Sequence, residues 1–317
     1  MYNEPIFLQP VFQERIWGGT KLNSLFGYHI PSDRTGEAWV ISAHKNGPSE
    51  ILNGSLKGKT MLDAWQEHPE LFGKQQAKEA FPLLVKILDA NDNLSVQVHP
   101  DDTYAQEVED EPYGKTECWY VLHAEPDAEI IFGHHAQTKE EFLNLVERGR
   151  WDDLLRRVKV KQGDFFYVPS GTIHAIGSGI VILETQQSSD ITYRVYDYDR
   201  TDDAGNKRQL HIQSSADVTH FPHHVKQQNQ MTELKKDLTS TRLVEAEYFT
   251  VYHWKLAGKV KHPLIRDYIL MSVIFGQGKI NTGANVFDIK KGDHFFLPAN
   301  VTDYELEGNI ELIVSHE

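Results

Sequence analysis

One twelve-residue text occurs twice in this chain, and it restricts the fold more than any other feature. Val160-Lys-Gln-Gly-Asp-Phe-Phe-Tyr-Val-Pro-Ser-Gly aligns with Ile289-Lys-Lys-Gly-Asp-His-Phe-Phe-Leu-Pro-Ala-Asn, 129 residues later. In each copy a Gly-Asp turn launches a short apolar strand that a proline stops. A repeat of this kind predicts two structural units of one design. The copies differ where chemistry would sit, because His174 of the first corresponds to Asp303 of the second. The first unit is therefore expected to carry a site, and the second to have lost it and to act structurally.

The rest of the chain reads mostly as strand. Glu37-Ala-Trp-Val-Ile-Ser, Leu94-Ser-Val-Gln-Val-His, Trp119-Tyr-Val-Leu, Ile180-Val-Ile-Leu-Glu and Leu270-Met-Ser-Val-Ile-Phe are short, β-branched or aromatic, and bounded by Gly, Pro, Asn or Asp. Many short strands without regular crossover helices predict a mainly β protein, a sandwich or barrel. Helical text is confined to two insertions, about 58–80 and 136–158. The second begins at Thr138, placed as a cap, and continues in a short helix over 151–158. The polar stretch 223–241 marks a boundary, giving units of 1–235 and 236–317.

Composition narrows the function. A net charge of −14 argues against a nucleic-acid surface, and no run approaches the roughly 18 apolar residues of a membrane span. The first residues have neither a basic start nor an apolar run, so the cytoplasm is the expected location. A single cysteine, Cys118, excludes an internal disulfide; a strand would turn it away from its neighbour Glu117, as a buried and inert thiol. A small anionic substrate remains compatible with this charge if basic residues gather in a pocket.

Four residues of three types suggest a metal. Gln97 and His99 are two apart on a strand and face one way. Glu117 would be costly to bury without a cation, which either Lys115 or a metal could supply. His174 closes the strongest motif, Gly163-x5-Pro169-x-Gly171-x2-His174. Lys86 lies inside Leu83-Leu-Val-Lys-Ile-Leu and needs an anion, either a substrate phosphate or a carboxylate of the protein. Arg200, Arg208 and His211 flank a turn at 203–206, and His220, His223 and His224 form a cluster that reads as surface.

The Gly163 to His174 motif resembles the second motif of the cupin superfamily. Phe81-Pro-Leu-Leu-Val-Lys-Ile-Leu-Asp-Ala, Leu94-Ser-Val-Gln-Val-His-Pro-Asp-Asp, Gly114-Lys-Thr-Glu-Cys-Trp-Tyr-Val-Leu, Pro169-Ser-Gly-Thr-Ile-His-Ala and Ile191-Thr-Tyr-Arg-Val-Tyr-Asp-Tyr together resemble the type I mannose-6-phosphate isomerases in their short bacterial form. That resemblance implies two jelly-roll barrels and one zinc ion per chain on Gln97, His99, Glu117 and His174. It implies Arg194 as a catalytic residue, with Lys115 and Asp190 beside it, and a sugar phosphate as substrate. Lys86 and Arg200 are the expected substrate-binding residues, with a solvated hairpin as the competing account of Arg200. The implied reaction interconverts mannose 6-phosphate and fructose 6-phosphate through an enediol. Gly114 stands where longer relatives have a histidine. A metal-dependent cupin dioxygenase and a non-catalytic sugar-binding module are the competing readings; no oligomeric state follows from the residues.

Overall fold

The computed structural model describes every residue except Met1, Lys78, Asp202, Asp203, Gln227 and Ala284. It is mainly β, with three sheets of nine, six and five strands. Among the described residues no helix is long and apolar enough to cross a membrane.

The repeat is reproduced bond for bond. Gly163 and Gly292 have φ of 90° and 92°, a region open to glycine, and each amide donates to a strand carbonyl, Val121 or Val273, at 2.9 Å. Asp164 Oδ2 accepts from the Lys161 amide at 2.9 Å, as Asp293 Oδ2 accepts from Lys290 at 2.8 Å. The strands launched are Phe165–Val168 and His294–Leu297. After each strand the proline carbonyl accepts from the amide three residues on, Pro169 from Thr172 and Pro298 from Val301.

In the first unit, a six-stranded antiparallel sheet (in order Phe165–Val168, Glu117–Ala124, Ile180–Gln187, Leu83–Ala90, Thr35–Ser42, Val11–Gly19) faces a five-stranded one (Tyr193–Tyr196, Val96–Val98, His174–Ile176, Glu129–His134, Leu155–Lys159). The nine-stranded sheet forms the second unit, with a core of Trp254, Met271, Phe295 and Leu312 among others. It takes strands from both sides of residue 235. Ile6–Gln9 pairs with His294–Leu297 on one side and with Glu50–Ile51 on the other, and Met231–Lys235 is its outer strand. The first helical insertion binds the units together, since the Phe72 ring stacks on Phe296 at 5.0 Å and meets Tyr268 edge-on at 5.6 Å.

The helical expectation needs correction. Lys139–Glu147 is helical and Thr138 Oγ1 caps it by accepting from Glu141 N. The next helix, however, ends at Leu154, and Leu155–Lys159 is an edge strand on Glu129–His134. Leu155 and Val158, three apart, suit a helical face, but five residues are too few to fix a period, and sheet pairing decides. Three further helices, Lys21–Phe26, Asp102–Val108 and Ile212–Val218, are six or seven residues long and too short to declare a 3.6-residue period.

Candidate active site

Residues opposite one another on neighbouring strands point to the same face, so register alone assembles the site. On the five-stranded sheet Arg194 pairs with Gln97, and Gln97 with His174. On the six-stranded sheet Trp119, Glu184, Lys86 and Trp39 form a second row. The rows meet where the Trp119 ring contacts that of His174 at 5.3 Å, and both line one cavity of about 570 Å³.

Three groups converge at its buried end. His99, Glu117 and His174 are each at most 1% exposed, and one ligand atom from each lies within 4.8 Å of the others. His174 Nε2 is 3.3 Å from Glu117 Oε1, and His99 Nε2 is 3.6 Å from Oε2. The other ring nitrogens are engaged: His99 Nδ1 donates to the Ile191 carbonyl at 2.7 Å and His174 Nδ1 to that of Thr172 at 2.9 Å. A carbonyl only accepts, so both Nδ1 atoms carry the proton in the neutral ring and both Nε2 lone pairs are left facing a carboxylate. Burial keeps the rings neutral. It holds His174 down at about 4, and it places His99 well below the usual imidazole range, with the Lys115 charge adding to the effect. Lone pairs turned toward carboxylate oxygens repel unless a cation lies among them, and backbone carbonyls that orient ligand histidines are a recurrent feature of metal sites. This donor set of two imidazoles and a carboxylate fits zinc.

Gln97 Nε2 is 3.3 Å from His174 Nε2, so its amide borders the same space and offers oxygen or nitrogen by a half-turn. Of the two cations offered for Glu117, Lys115 is in place. Lys115 Nζ lies 2.9 Å from Oε2 and 3.2 Å from His99 Nε2. Burial works against its ammonium, but Glu117 and Glu184 outweigh this and raise its pKa.

Lys86 is buried over the Trp39 ring (4.7 Å), with Glu37 at 3.9 Å and Glu184 at 4.0 Å. Burial lowers its pKa, whereas burial and the neighbouring Glu117 raise that of Glu184. The anion beside Lys86 is therefore a pair of protein carboxylates. Asp190 lines the cavity; its Oδ2 accepts from Asn46 Nδ2 at 2.7 Å. Arg194 lines it too, with a buried Nε that has no hydrogen-bond partner.

Three expected site residues do not line the cavity: His99 and Glu117, which lie behind its wall against His174, and Arg200. Arg200 Nε and Nη2 donate to Asp197 Oδ1 at 2.9 and 2.8 Å, and Nη1 reaches Asp92, so its fork is spent on carboxylates. Arg208 and His211 do line it. Of the turn that these residues flank, Asp203 lies outside the described residues. Glu37, Trp39, Glu184 and Arg15 also line the cavity and were not singled out from the sequence. A glutamate inside each of the runs Glu37-Ala-Trp-Val-Ile and Ile180-Val-Ile-Leu-Glu is the signal that could have found two of them.

In the second unit Asp303, the counterpart of His174, is exposed and pairs with His262 at 3.2 Å. Among the described residues, the trio of the first unit is the one group of three or more His, Cys, Asp or Glu placed to share an ion. Cys118 points into the opposite core, where burial pushes its thiol well up. His220 and His224 are exposed, whereas His223 packs over Gly133 and is half-buried rather than wholly on the surface.

The chain resembles known proteins over its whole length. Residues 6–116 match the model of the phosphomannose isomerase type I catalytic domain, and 239–317 that of the mannose-6-phosphate isomerase cupin domain. The mannose-6-phosphate isomerase ManA of Bacillus subtilis is 53% identical over 316 residues, the whole of both chains. A crystal structure of the mannose 6-phosphate isomerase from Bacillus subtilis superposes with a TM-score of 0.96 at 48% identity, covering 99% of each chain. A mannose 6-phosphate isomerase bound with zinc and yttrium shares the fold, with a TM-score of 0.77 at 16% identity and 99% of each chain covered.

Proposed function

The chain belongs to the type I phosphomannose isomerase family, and from that premise we propose that its first barrel interconverts mannose 6-phosphate and fructose 6-phosphate at a single zinc site. The observation that carries the zinc is the pair of histidines whose Nδ1 atoms are tied to backbone carbonyls while both Nε2 atoms face Glu117. His99, Glu117 and His174 would hold the ion, with Gln97 as fourth ligand. When bound, it would polarise the sugar oxygens on which negative charge develops.

The chain's own residues account for the rest. Moving a proton between C1 and C2 places negative charge on the oxygens of an enediol-type state, and a preorganised guanidinium stabilises such charge. Arg194 is next to Gln97 in register and makes no ion pair among the described residues, so it is the donor for that oxygen. Lys115, kept protonated by Glu117 and Glu184, donates to a second oxygen. Asp190 makes no ion pair among the described residues and is the carboxylate that carries the proton. Lys86 is fixed between Glu37 and Glu184 and orients the sugar through its hydroxyls.

A coupled assay of the purified protein, following fructose 6-phosphate formed from mannose 6-phosphate with and without chelator, tests the reading. Turnover that chelation stops and zinc restores is expected; no turnover in the zinc-loaded enzyme refutes the activity.

A further inference from the structure

Besides Arg194, the cavity carries two guanidiniums that the proton transfer does not use. Arg15, Arg194 and Arg208 all line it, and the guanidiniums of Arg15 and Arg208 both lower the pKa of Arg194, after burial. In a chain of net charge −14 such a gathering of like charges must be offset by an anion.

The carboxylates nearby do not fully supply it. Asp197 is buried and accepts from Arg208 through Nε (2.7 Å) and Nη2 (2.5 Å), but it is shared with Arg200. Glu37 accepts from Arg15 Nε at 2.8 Å, but it also faces Lys86. These contacts work as braces. Each fixes the plane of its guanidinium; Arg15 also donates Nη1 to the Glu14 carbonyl at 3.0 Å, so Nη2 of Arg15 and Nη1 of Arg208 are the groups left for a ligand. Arg194 makes no ion pair among the described residues, and the Asp197 carboxylate acts on it only from beyond ion-pair distance. The position also suits a remote group on the substrate. The side chains of Arg15 and Arg208 are 34% and 25% exposed, whereas His99 and Glu117 at the other end are 1% exposed. Lys86 is a poorer candidate, because two carboxylates already flank it and would repel a dianion.

We infer that Arg15 and Arg208, braced by Glu37 and Asp197, form the clamp that binds the phosphate of the substrate. This rests on the sugar-phosphate reading above and assigns the end of the substrate that does not react. Binding energy from such a group is available to position C1 and C2 at the buried end.

The test uses full-length zinc-loaded protein, with Arg15→Gln and Arg208→Gln, and inorganic phosphate as the probe. Phosphate binding is measured by calorimetry without turnover, alongside KM and kcat for mannose 6-phosphate, zinc content and Tm. Each variant is expected to weaken phosphate binding and raise KM by about ten- to a hundredfold, the range for one charge-assisted hydrogen-bonded contact, with zinc content unchanged. Arg208→Lys should recover part of the loss. Because Arg200 still pairs with Asp197 when Arg208 is replaced, the fold should hold, and Arg15→Gln checks the same clamp from the strand Val11–Gly19. Wild-type phosphate binding that neither variant weakens, or that vanishes on removing zinc alone, overturns the clamp. A protein that binds phosphate through these arginines but turns over no mannose 6-phosphate would contradict the isomerase reading and leave the anion site standing.

Discussion

Arg194→Ala separates chemistry from folding better than any other change in the cavity. Among the described residues the guanidinium makes no ion pair and its buried Nε has no partner, and its backbone amide, which donates to His211 Nδ1 at 3.1 Å, is untouched by the substitution. Truncation therefore strands no buried carboxylate and relieves one unsatisfied donor, so the stability change should stay within about 1 kcal/mol. The loss of activity should be far larger. A preorganised donor aimed at developing negative charge is worth on the order of 10²–10³ in rate, about 2.7–4 kcal/mol of barrier. Steady-state kinetics should show kcat and kcat/KM falling together, with zinc content and Tm near wild type. Arg194→Lys should restore part of the rate, since an ammonium keeps the charge but loses the planar fork. A strong rise in KM at unchanged kcat would place Arg194 in the phosphate clamp and remove it from catalysis.

Glu117→Ala and His174→Ala should each remove most bound zinc, read by metal analysis; Gln97→Ala should be milder, because an amide brings no charge, and full zinc in either of the first two would drop that residue from the ligand set. Gly163→Ala and Gly292→Ala should each cost roughly 1–2 kcal/mol in denaturant melts, because φ near 90° is unfavourable to a Cβ, and unequal effects would argue against equivalent turns. His294, buried between Tyr28 (2.6 Å) and Ser272 (2.8 Å), is held down at about 3 by burial, so the unfolded chain binds its proton first as pH falls. Its contribution is full above about pH 6.5 and is lost as pH drops toward 3, by at most about 5 kcal/mol. Stability curves of His294→Gln should be flatter across that window, and an unchanged slope would refute the linkage.

Much of this was legible in the residues because it is local. The Gly-Asp turn needs only a glycine and one side-chain acceptor, so both copies could be read from text alone, and the loss of His174 to Asp303 with them. Gln97 and His99 share a face by strand period. What could not be read is what register decides. Glu37, Glu184 and Lys86 are distant in sequence and meet because three strands pair with Glu184 opposite Lys86 and Lys86 opposite Trp39. Arg200 and Arg208 look equivalent in the sequence, and the structure separates them by how each shares Asp197. The edge strand Leu155–Lys159 was read as helix because five residues cannot distinguish the two periods without knowing the partner strand. The sharing of Ile6–Gln9 with the second sheet is long-range in the same sense, 288 residues separating Ile6 from the start of its partner strand at His294.

The most direct test of the account is a zinc titration of the chelator-stripped enzyme, followed by mannose 6-phosphate turnover. The site of His99, Glu117 and His174 predicts activity that rises linearly and breaks at one zinc per chain, with no second metal lost on changing Asp303. Full activity without metal, or a break at two equivalents, would contradict it.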